Sequence, residues 1–187
     1  MFLRNSQVQH WQALSRPAAA DRYNGSVGFA LRDYQPRDFE PLWNIDQQCF
    51  APGIAYSKRE LAIYIRRRGS FTIVAEIADS ASSIAGFIVA EASRGMGHII
   101  SIDVLSAHRR LGLGSKLLLA AENRLRTLEC RNVVLETAVD NNSALGFYKR
   151  HGYAVLKVSP RYYSNGVDAL VLGKSLRPQG QASLSKT

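Results

Sequence analysis

One short segment, rich in arginine and glycine, has the composition of an anion-binding turn. Arg109–Gly114 reads RRLGLG and lies between a strand-like stretch and an amphipathic, helix-like pattern. Gly112 and Gly114 allow close approach to the backbone, and the first amides of a helix have no partner within it. These amides, the positive end of the helix dipole and the arginines would together attract phosphate oxygens. The alternative is that the glycines only ease a tight turn.

The spacing of this segment favours phosphate binding over a simple turn. Arg109, Gly112 and Gly114 form R-x-x-G-x-G directly between strand and helix. The segment is not a Walker loop, because no Gly-Lys-Ser/Thr follows, and it lacks the G-x-G-x-x-G spacing of dinucleotide-binding turns.

The cysteines and histidines indicate neither a metal site nor a disulfide. Cys49 and Cys130 lie far apart and form no C-x-x-C motif. We therefore expect two unpaired thiols, no structural metal, and a reducing, cytoplasmic location. No recognisable ligand set is formed by the four histidines, which are His10, His98, His108 and His151.

Hydrophobic periodicity predicts the elements that position these residues. Helices are expected after an N-cap at Asp38, from Lys58 to about Arg67 after the capping box Ser57–Glu60, after Gly114, and over Ala144–Arg150. The predicted strands are Val27–Leu31, Phe71–Ile77, Ile84–Ala92, His98–Val104, Asn132–Thr137, Tyr153–Val158 and Ala169–Ser175.

This order predicts a mixed α/β (α+β) single domain rather than a Rossmann fold or a TIM barrel. Consecutive strands imply antiparallel hairpins, whereas the strand–helix–strand unit over 98–137 implies one parallel pair. We expect a mostly antiparallel central sheet with flanking helices over residues 27–176. Residues 1–26 are expected to form a loosely ordered extension with a short helix near 8–14, and residues 177–187 a tail.

Composition and charge exclude several classes of protein. The 187 residues are 46% hydrophobic and 21% charged, which excludes a disordered chain, a disulfide scaffold and a fibrous repeat. No stretch approaches the roughly 18 apolar residues of a membrane span, so no membrane partner is expected. The net charge of +9 suggests an anionic partner. We interpret the triplet Arg66–Arg68 as a solvated basic face.

Two segments resemble the GNAT N-acetyltransferase family. The R-x-x-G-x-G spacing at Arg109–Gly114 matches that family's acetyl-CoA-binding motif, Q/R-x-x-G-x-G/A. Asn141–Tyr153 resembles the family pattern N-x-x-A-x-x-x-Y-x-x-x-G-F, with Tyr153 in place of the usual phenylalanine. The resemblance extends in order from about Leu31 to Leu176.

The resemblance implies the GNAT fold, with acetyl-CoA as cosubstrate and no metal. His98–Val104 resembles the family's bulged fourth strand, whose amides face the pantetheine and the thioester, and the Val104 amide would polarise the thioester carbonyl. The amides of the loop and helix start hold the CoA pyrophosphate in the family. The cofactor-binding residues implied are Ile102, Val104, Arg109, Arg110, Gly112, Leu113, Gly114, Ser115, Asn141 and Tyr148.

Acetyl transfer from a thioester to an amine needs a base for the amine, donors for the carbonyl oxygen and an acid for the leaving thiolate. Glu136, near the end of a predicted central strand, is our candidate base, and a glutamate has this role at the matching position of RimI-type N-terminal acetyltransferases. A solvated strand end is the alternative. Tyr148 is the candidate acid on the resemblance alone, because its helical spacing by itself favours a core position.

Aromatic residues near the C-terminus suggest which amine is acetylated. Tyr162 and Tyr163, after Arg161 and before Asp168, resemble the R-x-Y-Y…D-A ending of RimI-type enzymes, in which paired tyrosines form a lid over the first substrate residues. Aromatic packing in a hairpin is the alternative. Tyr56 is expected to line the same entrance. The resemblance thus implies acetylation of a protein N-terminus, ribosomal proteins among the substrates, by direct attack in a ternary complex.

Other functions stay open from the sequence. One is a GNAT enzyme that acetylates lysine side chains or small amines, and another is a non-catalytic module that binds acyl-CoA or nucleic acid. An acetyl-cysteine intermediate is not expected, because the helix dipole disfavours a thiolate at Cys130 and no histidine neighbours Cys49. With phosphates of acetyl-CoA assigned to the arginine-glycine segment, we do not expect nucleic acid as a partner.

Overall fold

A computed structural model of the protein describes residues 28–78 and 83–177. The extension predicted over 1–26 and nearly all of the tail lie outside these residues. The strands are β1 Phe29–Asp33, β2 Ser70–Ile77, β3 Ile84–Ser93, β4 Met96–Val104, β5 Asn132–Ala138, β6 Ala154–Ser159 and β7 Ala169–Ser175. The α-helices are α1 Phe39–Cys49, α2 Lys58–Arg66, α3 Leu113–Thr127 and α4 Asn142–Arg150. The predicted order of elements is confirmed.

The strands form one sheet in the order β1-β2-β3-β4-β5-β7-β6. Among the described strands, β4 and β5 are the parallel pair and the other neighbours are antiparallel, as predicted. The parallel pairing covers Met96–Ile99 and Asn132–Leu135 and then stops. At that point β4 has a bulge against β3, because Ala90 pairs with Ile99 and Val89 with Ser101. Beyond it, β4 and β5 diverge and leave a gap.

The two faces of the sheet bury separate hydrophobic cores. Helix α3 covers one face, and its leucines at 113, 117, 118 and 125 are buried because they recur at helical spacing. Helices α1 and α2 cover the other face over β2–β4, where Leu42, Leu61 and Phe87 are fully buried. No helix within 28–78 and 83–177 is long and apolar enough to cross a membrane.

The starts of the helices show where local signals hold and where they do not. Ser57 and Glu60 form the predicted capping box of α2. Asp38 stands at the N-cap position of α1, but its carboxylate does not cap the helix. It is buried and accepts hydrogen bonds from the Arg32 guanidinium at 2.6 and 2.9 Å and from the Gln35 backbone amide at 2.7 Å, so both of its oxygens are engaged on the side that precedes α1. Strand β1 also begins two residues later than predicted.

A buried charge network links α3 to the last strands. Glu122 in α3 is 2% exposed, and its carboxylate accepts hydrogen bonds from Lys174 Nζ at 2.7 and 2.8 Å. The Tyr153 hydroxyl donates to the same carboxylate at 3.1 Å. This contact explains a tyrosine where the resemblance has phenylalanine. Burial and the Glu122 carboxylate raise the pKa of Tyr153, so its hydroxyl keeps the donated proton.

Replacing Lys174 by methionine should destabilise the fold. The substitution leaves the Glu122 carboxylate buried without its main cationic partner, which costs about 3 kcal/mol in the free energy of unfolding. Urea unfolding measures the effect. The double variant Glu122→Gln with Lys174→Met is the control. It should recover part of the lost stability, because it removes the buried charge as well. Equal stability of Lys174→Met and the parent protein would contradict the prediction.

Candidate active site

The gap between β4 and β5 exposes backbone groups of β4. The Leu105 amide donates to the Ala85 carbonyl of the neighbouring strand β3 at 3.0 Å. Because amides of a strand alternate in direction, those of Val104 and Ile102 point away from β3, toward the gap. The nearby carbonyls have protein partners: the Val104 oxygen accepts from Arg109 Nε at 2.8 Å, and the Ile100 oxygen from the Tyr56 hydroxyl at 3.3 Å. The gap is thus lined by the amides of Ile102 and Val104 and by the Ile102 carbonyl, which points the same way.

The start of α3 supplies further amide donors. Gly112 is the N-cap with φ +79°, a left-handed conformation that suits glycine. The first bond within the helix runs from the Lys116 amide to Gly112, so the amides of residues 113–115 precede the helical ladder. The Leu113 side chain is buried in the core, and only its amide can face a ligand. A side chain at Gly112 would meet no atom within 4 Å, which leaves this turn open.

The two arginines of this turn are arranged differently from each other. Arg109 folds back, and its Nε donates to the Val104 carbonyl, whereas the sequence suggested that both arginines face phosphates. Arg110 is exposed and has φ +65°, so it projects from a tight turn beside the helix start. Both side chains are exposed, so the terminal nitrogens of Arg109 stay accessible to an anion while its Nε contacts the end of β4.

Two other predicted cofactor residues have partners within the protein. Asn141 is the N-cap of α4, and its side-chain oxygen accepts from the Ala144 amide at 3.0 Å. Ser115 Oγ lies 2.9 Å from His151 Nε2, while His151 Nδ1 lies 2.8 Å from the Phe147 carbonyl. Since that carbonyl can only accept, Nδ1 donates to it, and Nε2 shares the second hydrogen bond with the Ser115 hydroxyl. This contact joins α4 to the first turn of α3.

Glu136 has a partner that the sequence analysis missed. Its carboxylate lies 2.6 Å from Nε2 of His98 on β4, and the two side chains are 19% and 35% exposed. Glu136 is the first residue of β5 beyond the parallel pairing, so its side chain stands where the gap opens. The predicted parallel pairing of these two strands indicates that their side chains can meet. The sequence does not show which residues lie opposite each other, so this contact was not predicted.

Tyr148 is buried and keeps its proton. It lies in α4, 6% exposed, with its ring edge-to-face against Phe147 and Tyr153 at centroid distances of 5.2 and 5.5 Å. Burial raises the pKa of Tyr148, and the Asp103 carboxyl adds to the effect. The hydroxyl is a neutral donor near pH 7.

The three predicted substrate-binding tyrosines, here called the tyrosine cluster, lie in two loops: Tyr162 and Tyr163 follow β6, and Tyr56 precedes α2. The rings of Tyr162 and Tyr163 are 5.1 Å apart and perpendicular. Burial, then the Glu136 carboxylate, raises the pKa of Tyr162 to about 12. Burial raises the pKa of Tyr56 above its ordinary value, and the Tyr56 ring packs against that of Tyr64 at a centroid distance of 5.0 Å.

Two loops meet over this cluster. The Ser164 hydroxyl, between β6 and β7, donates to the Gly53 carbonyl, between α1 and α2, at 2.8 Å. The backbone of Tyr56 is held by α1: its amide donates to Asp46 at 2.8 Å, and its carbonyl accepts from Trp43 Nε1 at 3.1 Å and Gln47 Nε2 at 2.8 Å. The entrance to the gap is therefore bridged and held by hydrogen bonds.

Two carboxyls and a thiol lie buried below the α1–α2 loop. Asp46 and Asp103 are at most 1% exposed, and each has an Oδ1 atom without a hydrogen-bond partner. Burial raises the pKa of Asp46 to about 6 and that of Asp103 well above its usual range. Burial also raises the pKa of Cys49 to about 11, and that of Cys130 is raised by burial as well. Both thiols are unpaired, as predicted, and protonated near pH 7.

The raised pKa of Asp46 predicts a dependence of stability on pH. Its folded pKa of about 6 lies above the ordinary 3.8, so folding favours the protonated form and ionisation of Asp46 lowers stability between pH 4 and 7. Asp46→Asn keeps an acceptor for the Tyr56 amide without this ionisation. Relative to the parent protein, its free energy of unfolding should rise by on the order of 2 kcal/mol from pH 4 to 7. Urea titrations at four pH values test this, and parallel pH curves would contradict it.

Known proteins share the sequence features of this site. The model of the acetyltransferase (GNAT) family matches residues 37–153. An uncharacterised N-acetyltransferase of Methanocaldococcus jannaschii is 37% identical over 155 residues, which are 82% of this chain and 96% of that protein. An N-alpha-acetyltransferase of Sulfurisphaera tokodaii is 38% identical over 81 residues, 43% of this chain and 48% of its own length.

Solved structures share the fold. Ard1 from Thermoplasma volcanium has a TM-score of 0.71 and 28% identity, and the match covers 80% of this chain and 98% of that one. The NatC complex bound to Gag peptide and CoA has a TM-score of 0.68 and 26% identity over 80% and 99%. The ribosomal-protein-S18-alanine N-acetyltransferase of Escherichia coli has a TM-score of 0.72 over 83% and 99%, but at 18% identity it shows the fold alone.

The family model spans more than half of the chain, and the match to the Methanocaldococcus relative covers 82% of it. The divergent β4–β5 pair and the R-x-x-G-x-G turn at the start of α3 belong to that matched region. The chain therefore belongs to the GNAT family and is an N-acetyltransferase.

Proposed function

We propose that the protein transfers the acetyl group of acetyl-CoA to the α-amino group of a protein or peptide N-terminus. The observation that carries this proposal is the bridge from Ser164 to Gly53, which joins the loop of Tyr162, the tyrosine beside Glu136, to the loop before α2. A chain end can enter such a site from one side. A lysine inside a polypeptide brings flanking residues on both sides, and the bridged loops leave them little room.

Acetyl-CoA fits the donors that line the gap. It supplies a thioester whose carbonyl accepts hydrogen bonds and a pyrophosphate that carries negative charge. The amides of residues 113–115 and the exposed Arg110 side chain would hold the pyrophosphate at the start of α3. The amides of Ile102 and Val104 would hold the carbonyl groups further along the gap. The Ser115 side chain supports this site by joining α3 to α4, and the Asn141 side chain by capping α4. Neither side chain needs to contact acetyl-CoA.

The Glu136–His98 pair would accept the proton of the incoming ammonium. An α-amino group has a pKa of about 8 and is mostly protonated at pH 7, so attack requires that proton to leave. The hydrogen bond of 2.6 Å lets either partner receive the proton while the other stabilises the charge. Sequence reasoning assigned the base to Glu136 alone, and the geometry supports assigning it to the pair.

Tyr148 would protonate the leaving group. As the new C–N bond forms and the C–S bond breaks, the departing thiolate needs a proton, and the buried Tyr148 hydroxyl keeps one to give. The buried, protonated thiols of Cys49 and Cys130 do not suit an acetyl-cysteine intermediate, so we favour direct attack in a ternary complex. A cytoplasmic location, expected from the unpaired thiols, remains part of the proposal.

Glu136→Gln and Tyr148→Phe should each lower kcat by about 100-fold at pH 7, because each removes one proton-transfer group. His98→Gln should also lower kcat and alter the pH–rate profile, since it removes the partner of Glu136. Release of CoA with a peptide acceptor measures these rates. Glu129→Gln and Tyr34→Phe are matched controls at the opposite end of the sheet from the gap and should keep kcat. Near-parental kcat in both Glu136→Gln and Tyr148→Phe would refute the assignment.

The acceptor class can be tested with three substrates. We expect turnover of peptides with an open α-amine, and at least 100-fold lower kcat/KM for the same peptide with a blocked N-terminus and an internal lysine. Spermidine represents small amines. Preference for the lysine peptide or for spermidine would support the alternative enzyme class, and acetyl-CoA binding without turnover would support a binding module.

A further inference from the structure

Six arginines converge on the end of the sheet opposite the gap. Four come from separate connections that the strand register brings side by side, and two more precede Arg68 in the chain. All six are exposed, and none of the lysines belongs to the group. The six residues, named here the arginine row, are Arg66, Arg67, Arg68, Arg94, Arg131 and Arg177.

Backbone hydrogen bonds fix the order of the row. The Ala92 amide donates to Gly69, next to Arg68, and the amide of Arg131 donates to Gly95, next to Arg94, both at 2.9 Å. The Leu176 amide, next to Arg177, donates to the Arg131 carbonyl at 2.9 Å. With about 4.8 Å between neighbouring strands, the row extends for about 19 Å across β2, β3, β4, β5 and β7.

Arg94 occupies a position where arginine is unfavourable. Ser93 pairs with Met96, so Arg94 and Gly95 form a two-residue hairpin turn with φ +50° and +76°. Turns with two positive φ angles favour asparagine, aspartate or glycine at the first position. Arg94 therefore has a strained backbone conformation at the centre of the row. Such strain is typical of residues whose side chain has a function, here its positive charge.

The charge of the row is only partly neutralised. Two acids lie on the same segments: Glu91, which pairs with Arg67 at 3.2 Å, and the exposed Glu129. The Arg67 guanidinium also lies over the Tyr64 ring, 5.0 Å from its centroid. The other five arginines of the row are exposed to solvent. The row thus keeps a net positive charge, and it holds much of the surplus noted in the sequence.

We propose that the arginine row binds the phosphate backbone of a nucleic-acid duplex. Guanidinium groups match phosphate oxygens in pairs, which lysines do not, and a fixed line of them suits a regularly repeating anion. About 19 Å of duplex carries about eleven phosphates, more than enough for six arginines. This proposal revises the expectation that nucleic acid is not a partner, and it does not depend on the proposed acetylation substrate.

The test compares two triple variants in binding to a fluorescein-labelled 20-base-pair duplex, prepared as RNA and as DNA. The row variant carries Arg68→Gln, Arg94→Asn and Arg131→Gln; asparagine suits the turn, so folding should be preserved. The control variant carries Arg37→Gln, Arg59→Gln and Lys157→Gln, which remove the same charge from exposed positions elsewhere. Fluorescence anisotropy is measured from 50 to 200 mM salt, and thermal melting confirms folding.

We expect the row variant to lower the slope of log affinity against log salt by about two to three, because about 0.9 is lost per phosphate contact. The control should keep most of the slope, and both variants should acetylate a short peptide at the parental rate. Equal loss in both variants would reduce the effect to net charge and overturn the proposal. Absence of duplex binding at 50 mM salt, or tighter binding to phosphatidylserine vesicles or polyglutamate, would also overturn it.

Discussion

The site depends on one constraint, the early end of the parallel pairing between β4 and β5. The strands pair for four residues each and then separate. The backbone groups of β4 beyond Ile99 that face β5 therefore have no partner in that strand, although β4 stays paired with β3. Buried backbone groups need other partners. The protein satisfies carbonyls with the Tyr56 hydroxyl and Arg109, while the amides of Ile102 and Val104 point into the gap. A gap so arranged favours ligands that bring acceptors, as a thioester and its amide-containing arm do.

The divergence of β4 and β5 also places the titratable groups in different environments. Glu136 stands at the mouth of the gap, partly exposed and hydrogen-bonded to His98. Tyr148 lies deeper, and burial raises its pKa, so it holds its proton. The proposed base and the proposed acid thus differ in their exposure to solvent, as in other sites that need both groups.

Local patterns predicted most of the fold, and long-range partners account for what they missed. The capping box of α2, the element order and the single parallel pair follow from spacing within a few residues. Asp38 and Arg109 occupy the predicted positions, but their side chains contact Arg32 of β1 and the Val104 carbonyl of β4. The His98–Glu136 contact joins residues 38 positions apart and depends on strand register. Such choices between hydrogen-bond partners are decided by tertiary distance, which spacing does not encode.

The β4–β5 pair also explains how one basic chain can hold two anion sites that do not interfere. At their carboxyl ends the strands separate and expose amides, whereas at their amino ends backbone hydrogen bonds lock Gly95, Arg131 and Leu176 into a rigid rim. Eight residue steps along β4, from Met96 to Val104, separate the two ends by about 26 Å. Electrostatic screening acts over about 8 Å at physiological ionic strength. A polyanion on the arginine row would therefore neither repel the pyrophosphate at α3 nor cover the bridged entrance, and the peptide N-terminus would still have access to Glu136.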